Sequence, residues 1–401
     1  MIGEKPTYRL RDIPAGIWAL GFVSLLMDVS SEMIHALLPI YLVTVLGTST
    51  LSVGFIEGSA EAAASITKVF SGALSDWLGK RKLLAVLGYG MAAFTKPVFP
   101  LASSVGWLVA ARFVDRVGKG IRGAPRDALV ADIAPAHLRG ASFGLRQSLD
   151  TVGAFVGPLL AIILMWVTAN HFRVVFWIAV IPAFASLALM MFAVPEPERP
   201  DDAASRLKSP LALTELRRLG HTYWWLLVIA TVFSLARFSE AFLVLRAQSI
   251  GLPVMLVPVV LLVMNVVYAA AAYPAGILSD KMDRLSVLLI GFGCLIAADV
   301  FLALSTDLAG IMFGVALWGL HMAFTQGILA TLIADSAPVD LRGTAYGIFN
   351  LGGGIALLAA SIVAGALWDA SGPQVTFLAG AAFTGAALVG LLYVRARVIQ
   401  R

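Results

Sequence analysis

Apolar runs long enough to cross a bilayer recur along this chain, each closed by a polar or Gly/Pro-rich turn, and this pattern constrains the fold more than any other feature. A span needs about 20 predominantly apolar residues, because the hydrocarbon core is about 30 Å thick and a helix rises about 1.5 Å per residue. Hydrophobic residues make up 59% of the 401 and charged residues 13%, against about 25% charged in ordinary soluble domains. That composition excludes a soluble globular protein. Runs near 14–45, 50–74, 83–102, 105–132, 142–168 and 173–194 form a first set of six. Runs near 222–248, 253–279, 285–305, 308–335, 343–367 and 374–394 form a second. Between them, 195–221 holds Pro195, Pro197, Pro200, Pro210 and five basic residues and cannot span. The expected fold is an all-α membrane protein of twelve transmembrane helices: a six-helix bundle over 1–194, a cytoplasmic connector over 195–221 and a second six-helix bundle over 222–401.

The basic residues fix the expected orientation. If the spans alternate, Lys5, Arg9, Arg11, Lys80, Arg81, Lys82 and Arg139 fall on the same side as the connector, as do Lys281, Arg284, Arg342, Arg395, Arg397 and Arg401. Arg173 and Arg246 approach the other side. The positive-inside rule then puts both termini in the cytoplasm and the multi-pass chain in the inner membrane. The net charge of +5, from 29 Lys and Arg against 24 Asp and Glu, belongs to those loops and points to no nucleic-acid partner. A single cysteine, Cys294, excludes an intrachain disulfide framework. The first run begins near Ile13 without a small-residue cleavage site and reads as a retained helix. Gly79-Lys80 is followed by Arg81 and Gly118-Lys119 by Gly120, so neither makes a phosphate-binding loop, and no HExxH is present. The expectation is a non-enzymatic, cofactor-free monomer whose partners are the lipid bilayer, a small-molecule substrate and protons.

The two halves repeat one another. GALSD at Gly72 to Asp76 recurs as GILSD at Gly276 to Asp280, and Gly88-Tyr89-Gly90 recurs as Gly291-Phe292-Gly293. LVADIAPAHLRGASFG, from Leu129 to Gly144, recurs as LIADSAPVDLRGTAYG, from Leu332 to Gly347. The offset is 203 to 204 residues each time, which chance does not maintain. A parallel duplication of six helices implies a pseudo-two-fold axis along the membrane normal, with a cavity between the halves.

Charges inside the predicted spans each cost on the order of 2.5 to 3.5 kcal/mol at a helix centre and so invite a functional role. In the first helix Asp28, Glu32 and His35 share one face; in the second, Glu57, Glu61 and Lys68 do. The fourth carries Arg112, Asp115, Arg116, Lys119, Arg122 and Arg126 within an arc of roughly 120°. Acids that exchange arginine partners can take up protons, which marks Asp28 and Glu32 first, then Glu57 and Glu61, with Arg112 and Asp115 opposite them. The cations Lys68, Lys96, Arg116 and Lys119, together with His35, fit an anionic or zwitterionic cargo. The second half offers Arg237 and Glu240 as i, i+3 partners on the seventh helix, with His321, Gln326 and Asn350 on the tenth and eleventh. Trp224, Trp225, Trp318 and Trp368 are aromatic candidates for the cavity wall or the interface. An alternative use of Asp28, Glu32 and His35 is as ligands for a divalent cation, giving a metal-ion transporter.

Gly72-Ala73-Leu74-Ser75-Asp76-Trp77-Leu78-Gly79-Lys80-Arg81-Lys82, with Gly276, Asp280, Lys281 and Arg284 in the second half, resembles the signature that the major facilitator superfamily carries between its second and third helices. The resemblance covers nearly the whole chain and implies a secondary active transporter working by alternating access. It gives Arg112 the place of the family's fourth-helix arginine, which in proton-coupled relatives works against first-helix carboxylates. It also makes Asp76, Lys80, Arg81, Asp132 and Arg139, repeated as Asp280, Arg284, Asp335 and Arg342, a cytoplasmic gate of ion pairs. Gly153, Gly157 and Pro158 in the fifth helix resemble the family's antiporter signature and serve helix packing. The function expected from all this is proton-coupled efflux or antiport of a small organic solute. An alternative of another class is a non-transporting membrane sensor on the same scaffold.

Overall fold

The computed structural model describes residues 13–78, 80–135, 138–196, 219–336 and 342–397, and the described residues are helical without a strand. In the first half, α1 runs Ala15–His35 and continues through Leu38–Ile40 into a π-helical turn at Tyr41–Val45. It is followed by α2 (Thr50–Leu78), α3 (Arg81–Thr95, then Val98–Leu101), α4 (Val105–Ile133), α5 (Arg139–Val167) and α6 (Phe172–Phe192). In the second half, α7 comprises His221–Ala236 and Ala241–Ser249, and α8 (Val259–Lys281), α9 (Arg284–Leu304), α10 (Leu308–Asp335), α11 (Arg342–Ser371) and α12 (Pro373–Arg397) follow. Of the segment expected to connect the halves, 197–218 lies outside the described residues.

Ten of these helical units are long and apolar enough to cross a membrane by length and composition. The two that fall short are α2 and α4, the helices with the densest ionic stripes. Large apolar side chains such as Trp166, Ile181, Phe192 and Val389 stand exposed on the outside of the molecule. An apolar exterior of this extent is what lipid, not water, accommodates.

Helix pairing repeats with the sequence. In the first bundle α1 packs on α5 and α6, α4 on α2 and α3, and α3 on α6. In the second, α7 packs on α11 and α12, α10 on α8 and α9, and α9 on α12. Adding six to each helix number converts the first set into the second, as a pseudo-two-fold axis requires. The bundles meet along two seams, α2 with α11 and α5 with α8. Tight turns close α7 to α8 at Gly251 (φ +97°) and α11 to α12 at Gly372 (φ +88°), where a side chain would be strained.

Runs expected to be continuous helices are broken in α1 and α7, as α3 is between Thr95 and Val98. In α1 the break falls at Ala36–Leu37, ahead of Pro39, whose nitrogen carries no hydrogen for the helical ladder. In α7 the chain leaves the helix between Ala236 and Ala241, and Arg237 adopts φ −98°, ψ 60°. The Ser239 N–H abandons the ladder and donates instead to Ser361 Oγ of α11 at 3.1 Å. Arg237 and Glu240 are therefore not i, i+3 neighbours on a helix face; both stand on unwound backbone. Irregular backbone at membrane depth is tolerated where it is buried in protein or lines a cavity.

The α2–α11 seam is closed by glycines and clamped by one carboxylate. A Cβ added to Gly54 would stand 2.1 Å from the Ser361 carbonyl oxygen, and one on Gly365 would stand 2.6 Å from Leu51 Cα. At this end Asp369 of α11 accepts from the first turn of α2: Thr50 N at 3.1 Å, Leu51 N at 3.0 Å, and the Thr50 hydroxyl. The carboxylate satisfies orphan N–H groups and complements the positive end of the helix dipole, although it belongs to the other bundle. Losing such a cap costs about 0.5–2 kcal/mol, a sizeable part of a two-state gap of a few kcal/mol. Asp369→Ala is expected to enlarge the population with separated helix ends, read as longer distances between spin labels placed on the Thr50 end of α2 and the Ser371 end of α11. An unchanged distance distribution would show that Asp369 does not hold the seam.

Candidate functional site

Where α1, α2 and α4 face the unwound part of α7, they enclose a central chamber of about 320 Å³. Its first-bundle wall carries Glu32, His35, Glu57, Glu61, Arg116 and Lys119. Its second-bundle wall carries Arg237, Phe238, Ser239, Glu240, Asn265 and Trp318. An inner chamber of about 420 Å³ continues toward the end of the molecule where α1 begins, lined by Asp28, Lys68, Arg122, Arg126, Asp150 and Asn350 among others. Glu32, Glu61, Lys119 and Ala154 line both chambers. A smaller cavity of about 210 Å³ lies between Ser65 on α2 and Ser234, Arg237 and Asn350 of the second bundle.

Small residues on α5 set the position of the α1 acids. A Cβ on Gly153 would stand 2.6 Å from Leu25 O and 3.0 Å from Asp28 Cβ, and one on Gly157 would stand 2.6 Å from Glu32 Cβ. The close approach, with Pro158 one residue further inside α5, leaves the Asp28 and Glu32 side chains toward the chambers. Asp28 and Asp150 of α5 line the same inner chamber.

The charges form a connected set. Arg112 Nη2 donates to Glu57 Oε2 at 2.6 Å and lies 2.7 Å from His35 Nδ1. His35 Nε2 stands 3.9 Å from Glu240 Oε2, so the chain Glu57, Arg112, His35, Glu240 runs from one bundle to the other. Arg112 and Glu57 are almost completely buried, which makes each the obligatory partner of the other. One turn along, Arg116 Nε pairs with Glu61 Oε1 at 3.1 Å. Arg126 approaches Asp127 at 3.3 Å and Asp150 at 3.6 Å, and Arg146 approaches the same two acids at 3.8 and 3.7 Å.

Several candidates stand elsewhere. Lys96 is 1% exposed and lines none of these cavities; its Nζ donates to Asp115 Oδ1 at 2.9 Å and Ser31 Oγ at 3.0 Å. Lys96 and Asp115 thus form a sealed pair between α3 and α4, because α4 turns that face toward its neighbour. His321 is fully enclosed, its ring 5.3 Å from that of Trp318 and 6.4 Å from that of Phe233, behind the wall and not in it. Gln326 is half-buried on α10 and lines none of the three cavities. Of the tryptophans, Trp318 is on the chamber wall; Trp225 makes a tilted ring contact with Tyr393 and Trp368 with Phe242. Among the described residues no group of three or more His, Cys, Asp or Glu side chains is arranged to hold a metal ion, and His35 faces an arginine, so the cation site considered for Asp28, Glu32 and His35 has no geometric support.

At the end where α1 begins, Arg81 Nη1 reaches Asp132 Oδ2 at 2.5 Å and Ala128 O at 2.9 Å, joining α3 to α4. Lys80 is exposed, and Arg284 is half-buried at the start of α9. Asp283 pairs with Arg395 at 3.5 Å, tying α9 to α12. The side chains of Asp76, Arg139, Asp280, Asp335 and Arg342 lie outside the described residues.

Comparison with known proteins decides the family. The family model described as Major Facilitator Superfamily matches residues 20–360 and 241–400. The chain belongs to the major facilitator superfamily. It is 34% identical over 397 residues to an uncharacterized MFS-type transporter of Methanocaldococcus jannaschii, covering 97% of this chain and 96% of the relative. It is 24% identical over 325 residues to the cis,cis-muconate transport protein of Acinetobacter baylyi, covering 76% of each. Its fold matches that of the nucleoside transporter NupG with a TM-score of 0.78 at 13% identity, over 94% of this chain and 99% of that one. As a superfamily member the chain is a multi-pass membrane protein of the transporter type, and the chambers lie where its two bundles face each other.

Sequence reasoning did not single out Asp150, Asn265 or Asp369. An acid within an apolar run, four residues after Arg146 in the first case, was the available signal. The sealed Lys96–Asp115 pair gives a direct test of how charge is handled away from the chambers. Removing one member of a buried pair costs about 3–5 kcal/mol, whereas replacing both by apolar groups is often neutral. Asp115→Asn is expected to lower stability by about that amount, and the double variant Lys96→Met with Asp115→Leu to recover most of it, measured by unfolding in detergent. Equal losses in both variants would show that the pair has a role beyond mutual neutralisation.

Proposed function

We propose that this major facilitator is a proton-coupled secondary active transporter that moves a small anionic or zwitterionic organic solute across the cytoplasmic membrane by alternating access. Both termini and the 195–221 connector lie in the cytoplasm in this reading, and the inner chamber opens toward that side. The observation that carries it is the line of titratable and charged groups, Glu57, Arg112, His35 and Glu240, which crosses from one bundle to the other, Arg112 buried behind the wall and the other three lining the central chamber. Such a line gives solute binding, proton binding and bundle movement the same atoms to act on.

The steps follow from the charges. A solute carboxylate entering the chamber accepts N–H donation from Arg116 and draws it away from Glu61. A carboxylate left without its arginine in a space of low dielectric is costly, and it removes the cost by binding a proton. Neutral, it no longer attracts the opposite bundle. Asp28 and Glu32, held toward the chambers by α5 and without a basic partner within ion-pair distance among the described residues, supply protonation sites nearer the cytoplasmic side. Similarity to a muconate transport protein supports an organic acid as cargo.

Reconstituted protein separates the parts of this proposal. Asp28→Asn and Glu32→Gln are expected to reduce solute flux driven by a pH gradient to the leak rate in proteoliposomes, while solute-for-solute counterflow persists. Muconate and other small organic acids are the first solutes to test. Driven flux that is unchanged in both variants removes these two acids from coupling. Zero flux and zero counterflow for every solute favours a sensor on the same scaffold.

A further inference from the structure

The acids and bases of the inner chamber do not balance pairwise. Glu61 is engaged by Arg116, and Asp150 lies near Arg126 and Arg146. Arg122, Lys119 and Lys68 have no carboxylate within ion-pair distance among the described residues, although Asp28 and Glu32 share their chamber. Of the three cations, Arg122 is the most unusual. It is 5% exposed, its guanidinium carbon lies 4.9 Å above the centroid of the Tyr89 ring, and its Nη1 has no hydrogen-bond partner.

The surrounding backbone holds that arginine in place. Gly88 and Gly118 bring α3 and α4 into direct contact, and a Cβ on Gly88 would stand 2.7 Å from the Arg122 backbone nitrogen. Stacking on Tyr89 then fixes the plane of the guanidinium and leaves an edge free. Lys68 runs along the same stretch of α4, its Cε 3.9 Å from the position of a Cβ on Gly123. Lys119, one turn before Arg122, is exposed on the walls of both chambers. A buried, oriented guanidinium with an empty donor and two exposed ammonium groups beside it is suited to a planar or tetrahedral oxyanion.

We propose that the inner chamber is a second solute station, in which Arg122, Lys119 and Lys68 take the anionic group, a carboxylate or a phosphate, of the transported solute at the mouth of its path. The station rests on the reading of the chambers as a solute path. It places the anion at Arg122 about two to three helical turns from the Arg116 and Arg112 pairs, with Lys119 common to both chambers as the group that passes it on. The solute class is thereby narrowed to molecules with an accessible oxyanion.

Titration of purified, delipidated protein in neutral detergent with sodium phosphate, against sodium chloride at matched ionic strength, tests this without any gradient. Saturable binding of phosphate is expected. Arg122→Gln is expected to weaken it about tenfold or more, as loss of a charge-assisted hydrogen bond does. Should Arg122→Gln fail to fold, the double variant Lys68→Gln with Lys119→Gln, altered at exposed chamber positions, is expected to show the same weakening. Arg395→Gln, on the far surface of α12, leaves phosphate binding unchanged. Binding that survives both chamber variants, or that chloride reproduces, overturns the station. Competition by phosphatidylglycerol identifies a lipid headgroup as the source of the oxyanion, and its absence identifies a water-borne solute; either supports the site. Phosphate binding that depends on Arg122, without proton-driven flux, leaves the station and removes the transport reading. Driven flux alongside phosphate binding indifferent to Arg122, Lys119 and Lys68 does the reverse.

Discussion

The cost of holding charge inside a bilayer organises this molecule. Each ionised group at membrane depth needs a partner, a hydrogen-bond donor or water, and the charged faces of α2 and α4 carry too many such groups to turn toward lipid. Their stripes therefore turn inward, where Arg112 meets Glu57 and Arg116 meets Glu61. α1, α5 and α8, with the break in α7, then complete the walls. The chambers are the space this sorting leaves, because paired charges of opposite sign on long side chains cannot be packed to the density of an apolar core.

Close helix approach gives the sorting its geometry. Glycines bring α5 against α1, α3 against α4 and α2 against α11, and every one of these contacts orients a charged group. Gly153 and Gly157 point Asp28 and Glu32 inward; Gly88 and Gly118 seat Arg122; Gly54 and Gly365 bring Asp369 to the start of α2. Among the described residues, polar connections cross the bundles at different depths, His35 with Glu240 in the central chamber and Asp369 with Thr50 and Leu51 at the end of the seam. Neither is large beside the apolar contact around it, which suits connections that must break and reform.

Much of this was legible in the sequence, for identifiable reasons. The 203-residue repeat and the twelve runs carry the bundle architecture, since span length and hydropathy are set by bilayer thickness. The stripes on α1, α2 and α4 were readable because a charge in an apolar run is rare and helical periodicity says which charges share a face. Less legible was what depends on a neighbour. Lys96 sits in an apolar run as the cavity cations do, and it is the facing Asp115 that seals it from the chambers. The unwinding at Arg237–Glu240 has no Pro or Gly to announce it; it depends on Ser361, 122 residues away, accepting the Ser239 N–H. Asp369 lies near a helix end, where an acid reads as an interfacial residue until the start of α2 is placed beside it.

The arrangement along α4 joins these points. Arg112, Arg116, Lys119, Arg122 and Arg126 succeed one another at intervals of three or four residues, a rise of about 5–6 Å per step. The first two are paired with acids of α2, the next two have no carboxylate partner within ion-pair distance, and the last is near Asp127 and Asp150. A helix of evenly paired cations would hold no anion, since every donor would already be satisfied. A helix of unpaired cations would hold one too firmly to release it. In the proposed transport cycle, alternation between the two conditions along α4 would let an anion displace one carboxylate at a time, each advance freeing an acid to exchange its arginine for a proton.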